Sequence, residues 1–167
     1  MDHRIAKAYV QYNPELKIIT CIQHKYAIIP GNDSSGRSNV THHFQEVHKP
    51  GLSKHAITPI NEYISTLELL KPCQINTPLR EDGPVDGLEL YENGGQCLIC
   101  HEFAISPGAM SLHFIKKHHL IAKLGTNWRK QAIQTIFSGK HSKYMPDFTY
   151  INHRYFPVDI KMDIPDY

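Results

Sequence analysis

Apolar positions along this chain fall in short bursts separated by turn formers. Residues 9–10, 16–20 and 26–29 are apolar-rich and predict a strand pair that closes on a tight turn at residues 21–24. Residues 31–36, Gly-Asn-Asp-Ser-Ser-Gly, read as a loop. A short helix is expected over 38–47, ending before Pro50-Gly51. Thr58-Pro59 predicts the start of a longer helix, with Ile60, Ile64, Leu67 and Leu70 near one face and a stop at Pro72. Residues 72–86 are rich in Pro and turn formers and read as a connection, and 87–91 alternate weakly, as a strand does. Ser106-Pro107 is an N-cap followed by Pro at the first helical position, so a helix is expected over 107–121. Thr126 or Asn127 caps a last expected helix. It carries Trp128, Ala132, Ile133, Ile136 and Phe137 on one side and stops at Gly139. Residues 144–167 look extended and aromatic, with an acidic end. The expectation is an α+β protein in four segments: 1–57, a helix and linker over 58–86, 87–125, and a C-terminal helix with an aromatic extension over 126–167.

Composition sharpens this picture in one place. The 167 residues carry 18 Lys+Arg against 16 Asp+Glu, a formal charge of +2, which is not the basic excess of a protein flooded with DNA-binding charge. Apolar residues make up 41%, and 11 Pro with 10 Gly imply short elements, so the core is modest. No apolar run approaches the ~20 residues of a membrane helix. The start, Met-Asp-His-Arg-Ile-Ala-Lys, has no secretory apolar region, so a disulfide framework is not expected. The unusual entries are 12 His and 4 Cys, the borderline and soft metal ligands.

These ligands are patterned. Cys97 and Cys100 enclose two residues, twelve residues lead on to His113, and four more lie between His113 and His118. That is Cys2His2 zinc-finger spacing: a tight turn presents two thiolates, and a helix presents two imidazoles to the same point. His119 is an alternative to His118. Upstream, Cys21 and His24 have the same knuckle spacing, and His43 and His48 follow with the same four-residue gap. Val40 precedes His43 by three, as Met110 precedes His113. The layout occurs twice, so a CysHis3 site at Cys21, His24, His43 and His48 is expected beside the Cys2His2 site. His42 and His55 are alternative ligands there. Two structural Zn2+ ions and two ββα zinc-finger-like units follow as expectations. Cys73, in Lys71-Pro72-Cys73, has no partner at ligand spacing and reads as a buried thiol filling core.

Beyond the knuckles, the order of motifs resembles a family. It runs through Gln11-Tyr12-Asn13-Pro14, Cys21-x2-His24-Lys25-Tyr26-Ala27-Ile28 and Val40-Thr41-His42-His43-Phe44. It continues with Pro84-Val85-Asp86-Gly87-Leu88 and Gly94-Gly95-Gln96-Cys97-Leu98-Ile99-Cys100. It ends with Trp128, Gln134-Thr135-Ile136-Phe137 and Arg154-Tyr155-Phe156-Pro157-Val158. This order resembles the fungal family named after the orsellinic acid biosynthesis cluster protein D, over roughly residues 9–158. The resemblance implies a zinc-finger-like domain, joined in some members to helicase-like modules, and brings no established catalytic activity to carry over. The family's name comes from a gene cluster and not from a reaction. His24 stands where the family usually has a second Cys.

The chemistry read from the residues agrees with that implication. Both sets have four protein ligands, which leaves no position for an activated water, and neither a His-Glu-x-x-His nor a deaminase arrangement is present. The expectation is therefore not an enzyme, with no small-molecule substrate and no membrane partner. The base-reading positions are Ser106, Ala109 and Leu112 in the second finger and Gly36, Asn39 and His42 in the first, which cannot specify a sequence. Lys116, Lys117, Lys123, Arg129 and Lys130 form a basic cluster suited to phosphate contacts. Nucleic-acid binding of low specificity, in an intracellular and nuclear protein, is the leading expectation. A zinc-stabilised protein–protein interaction module is the alternative, and one contiguous basic face or an exposed apolar patch would separate the two.

Overall fold

The structure, a computed structural model, describes residues 3–137 and 155–160. Those residues fall into two compact units: the chain up to Asn76 with Phe137, and Thr77–Ile136 with residues 155–160. The expectations for 138–154 and 161–167 lie outside the described residues. Within them the protein is a mixed helix-and-sheet structure, and no helix is long and apolar enough to cross a membrane.

In the first unit a short helix, α1 (Arg4–Lys7), precedes a hairpin of β1 (Val10–Asn13) and β2 (Ile18–Cys21). The hairpin is antiparallel, with Val10 opposite Cys21 and Asn13 opposite Ile18. Its turn is closed by Asn13, whose Oδ1 accepts the Leu16 amide at 2.9 Å. All four residues of β2 are buried. Beyond the knuckle the chain returns alongside β2, with Thr20 bridged to Ala27 and the Ile28 amide donating to the Ile19 carbonyl at 2.9 Å. Next comes α2 (Asn39–His42), capped by Ser38, whose side chain accepts the Thr41 amide. It runs straight into a π-helical turn, His43–Val47. The core gathers Val10, Ile19, Cys21, Ile28, Val40, Phe44, Ile57 and Ile60.

The long helix, α3 (Lys54–Ser65), starts earlier than Thr58-Pro59 and ends before Pro72. Ser53 caps it by accepting the Ala56 amide, so Pro59 lies inside the helix rather than at its start. Pro59 removes one backbone donor, but the cap at Ser53 and the burial of Ile57 and Ile60 on the inner face hold the extra turn. Cys73 is exposed in a short 3-10 turn, Pro72–Gln74. The expectation of a buried Cys73 is therefore wrong: neither that turn nor Arg80–Asp82 has a buried residue, so no core reaches the thiol.

The second unit holds two small sheets. In one, β4 (Gly95–Cys97) lies between β5 (Phe103–Ala104) and β6 (Trp128–Lys130). In the other, β7 (Ile133–Thr135) lies between β3 (Leu90–Tyr91) and β8 (Tyr155–Pro157). After β5 comes α4 (Pro107–His113), capped by Ser106, then a second π-helical turn, Phe114–His118. The expected C-terminal helix from residue 126 is thus a correction: Trp128–Lys130 and Ile133–Thr135 are strands. The apolar stripe there resembles a helix face, but its backbone groups find long-range partners. Cys97 pairs with Trp128, and Gln134 pairs with both Leu90 and Phe156. Buried Gln134 also donates to the carbonyls of Val85 and Leu88 at 3.0 and 3.1 Å, a role no helix periodicity reveals. Gly95 is required by Trp128: a Cβ there would lie 2.7 Å from the indole ring. Trp128 then closes a core of Cys97, Ala104, Met110 and Phe114.

Candidate metal centres

Each unit brings one Cys/His group together. Cys21, His24, His43 and His48 form one, and Cys97, Cys100, His113 and His118 form the other, with the ligand atoms within 4.8 Å of one another in each. In the first, Cys21 Sγ lies 3.4 Å from His24 Nδ1 and 3.3 Å from His48 Nε2. The three imidazoles stand nearly perpendicular to one another, at 78–90°. In the second, Cys97 Sγ lies 3.5 Å from His118 Nε2, and Cys100 Sγ lies 3.4 Å from His113 Nε2. The first group is the more deeply set: Cys21, His43 and His48 are buried, whereas Cys100, His113 and His118 are half-exposed.

The two knuckles are built alike. Cys21 and Cys97 each end a strand, and each donates its amide to a carbonyl five residues on, Tyr26 at 3.0 Å and Glu102 at 2.8 Å. Each accepts at its own carbonyl from the residue four on, Lys25 at 2.8 Å and His101 at 3.0 Å. Lys25 and His101 both adopt the left-handed conformation, with φ of 53° and 63°, which turns the chain sharply behind the second ligand.

The His pairs share a device too. At 3.6 residues per turn, ligands five apart on an α-helix would diverge by about 140°. In both units the helix passes into a π-helical turn at or just after the first His. The bond from the His48 amide to the His43 carbonyl, 3.3 Å, spans five residues. Widening the turn brings the second imidazole back onto the face of the first. Phe44 and Phe114, each following the first His, are fully buried and brace that turn.

The alternatives left open by spacing separate here. His42 lies against Arg37, His55 is exposed on α3, and His119 is an exposed left-handed residue just past the π turn. None of the three belongs to either group among the described residues. Lys116, Lys117, Lys123, Arg129 and Lys130 are all exposed. Lys117 pairs with the Glu102 carboxylate, and Arg129 donates twice to Gln96 Oε1, at 3.1 and 2.7 Å.

Two residues were missed from sequence. Tyr26 Oη lies 3.5 Å from His43 Nδ1, and Glu102 Oε2 lies 3.4 Å from His113 Nδ1. The available signal was their shared place, five after the first Cys, once both knuckles are aligned.

Burial favours the neutral form of these groups. Burial raises the Cys21 and Cys100 thiols above their ordinary pKa, because a thiolate is poorly solvated there. Tyr26 is pushed up to about 12 by burial and then by the neighbouring Cys21. Burial lowers His24, His48 and His113, favouring the neutral imidazole that a metal needs. These groups can hold metal ions.

With this geometry in hand, the family comparison is decisive: the model for orsellinic acid/F9775 biosynthesis cluster protein D matches residues 8–119. The chain belongs to that family. The match takes in both knuckles and both His pairs of this OrsD-family chain, while Trp128 and the Tyr155-Phe156 stretch lie beyond it. No curated protein and no solved structure matches the chain.

Proposed function

We propose that both groups bind zinc as structural ions, and that this OrsD-family chain uses the resulting zinc-finger-like units to bind nucleic acid without reading its sequence. The observation that carries the metal is the donor spacing. Tetrahedral zinc with bonds of ~2.3 Å to sulfur and ~2.0–2.1 Å to nitrogen places S and N about 3.6 Å apart. Four S···N separations are 3.3–3.5 Å, slightly inside that value. Thiolate with imidazole is also the donor mixture zinc prefers over harder cations. Four protein ligands leave no position for water, so a structural role fits and a catalytic one does not. The ions complete cores that short elements leave small.

Nucleic-acid binding is supported by where the charge falls. Residues 97–130 hold five basic side chains and one acidic one, 5 − 1 = +4, although the whole chain is only +2. All five basic side chains are exposed. With Lys117 on Glu102 and Arg129 on Gln96, the cations without a side-chain partner among the described residues are Lys116, Lys123 and Lys130. Phosphate is the target that suits them. Ser106, Ala109 and Leu112 offer no bidentate base contact.

Binding of labelled mixed-sequence duplex and single strands should weaken by about 10²-fold between 50 and 200 mM salt if three to four phosphates are contacted. Replacing Lys116, Lys123 and Lys130 together by Ala should flatten that slope. Absence of salt-sensitive binding overturns this part of the proposal. It would leave the second reading, a protein-docking module, which has its own supporting observation. Ile99, Leu112, Ile115, Leu120, Ile121 and Leu124, all in the second unit, are exposed.

A further inference from the structure

Ligating histidines need their second ring nitrogen held, because that contact sets the tautomer and the orientation of the ring. In both units that nitrogen on the first His of the pair lies against a residue at the same place. That residue lies five residues after the first knuckle Cys, and its carbonyl accepts that Cys amide. In the first unit it is Tyr26, 3.5 Å from His43 Nδ1. In the second it is Glu102, 3.4 Å from His113 Nδ1. The two segments share their knuckle and π-turn backbone, but not the loop length or the second knuckle ligand. The shared backbone brings this position to the first His in both units, and two unlike polar side chains, a phenol and a carboxylate, meet Nδ1 there.

We infer that Tyr26 and Glu102 are positioning residues for the metal: each fixes the ring of His43 or His113 so that Nε2 faces the ion. This rests on the metal reading above. The backbone of either residue is pinned to its knuckle, so the side chain ties knuckle to helix across the site. The two differ in strength. A phenol is a neutral partner for an Nδ1–H donor, whereas a carboxylate is an anionic acceptor that makes the imidazole a better donor to zinc. Glu102 therefore offsets part of the half-exposed setting of the second site. The first site, with a tyrosine, relies on burial instead. Lys117 belongs to the same arrangement, since it holds the other Glu102 oxygen. That assigns Lys117 to the metal site rather than to a phosphate.

The test is a competition titration of zinc against a chromogenic chelator, using the full chain. Glu102→Ala should weaken the second site by about 10–100-fold, the usual effect of losing an outer-shell partner, with the first site unchanged as an internal control. Glu102→Gln keeps a carbonyl acceptor and should recover part of the loss. Tyr26→Phe removes only the hydroxyl and should weaken the first site alone. A purely structural defect is distinguished by nuclear magnetic resonance. The Nδ1-bound proton of zinc-loaded His113 should be protected from solvent exchange in wild type and Glu102→Gln, and lost in Glu102→Ala. Unchanged zinc affinity in Glu102→Ala, or weakened affinity with that proton still protected, overturns the inference. A wild-type chain that takes up no zinc overturns the metal reading itself, a separate failure.

Discussion

Cys100→Ala is expected to abolish one zinc site and unfold the second unit, while Cys73→Ala leaves the melting profile within about 2 °C of wild type. The two thiols differ in what depends on them. Cys100 lies 3.4 Å from His113 Nε2 at the edge of the core around Trp128, and it is only half-buried. Its truncation therefore removes little packing and reports chiefly on the metal. Structural zinc contributes roughly 10–16 kcal/mol in small finger domains, more than the entire net stability of most domains. Cys73 is exposed in a turn with no buried residue, where substitutions stay within about 0.5 kcal/mol. The first unit has its own core, from Val10 to Ile60, and should keep its structure and its ion in Cys100→Ala. Thermal melts in zinc-containing buffer, followed by circular dichroism, check this. Coincident melts for the two variants would mean that Cys100 is not a ligand.

Acidification should release the two ions in order, the first site before the second. Burial holds His24, His48 and His113 below the ordinary imidazole pKa in the folded chain. In the unfolded chain they return to about 6.5. Below that value the unfolded state binds protons that the folded state resists. This contribution to stability is therefore fully present above about pH 6.5 and is lost as pH falls towards the lowered folded values. Zinc loss runs the same way, since each ligand must be deprotonated. The first site sets three imidazoles and one thiolate against protons, the second two of each. With one strong anionic donor fewer, the first should empty earlier as pH falls from about 7 to 5. His24→Cys supplies the missing thiolate and should move the earlier step to lower pH. Release followed with a chromogenic chelator gives both steps. One step, indifferent to His24→Cys, would show that His24 does not bind the ion.

The ligand sets were legible because ligand spacing is local: two residues between knuckle positions and four between the His pairs are written in the chain. The path between them was not. His-x4-His reads as one helical turn, yet both pairs need a π-helical widening, a backbone adjustment that leaves no signature in residue type. The strand pairing of Trp128–Lys130 and Ile133–Thr135 was missed because its partners, Gly95–Cys97, Leu90–Tyr91 and Tyr155–Pro157, are distant in sequence. Apolar residues there mimic a helical stripe, and tertiary pairing overrides it. Pro59 was read as a helix start because Pro favours that position, while Ser53, a better cap, lies six residues earlier. Glu102 was missed because its partners, His113 and Lys117, lie 11 and 15 residues on and meet it only in the folded unit.

On the metal reading proposed above, two structural zinc ions, one in each unit, organise this OrsD-family chain. Elemental analysis of the purified chain, with zinc counted per polypeptide after exhaustive dialysis against metal-free buffer, tests it most directly. Two zinc ions per chain are expected. One or fewer would contradict that reading.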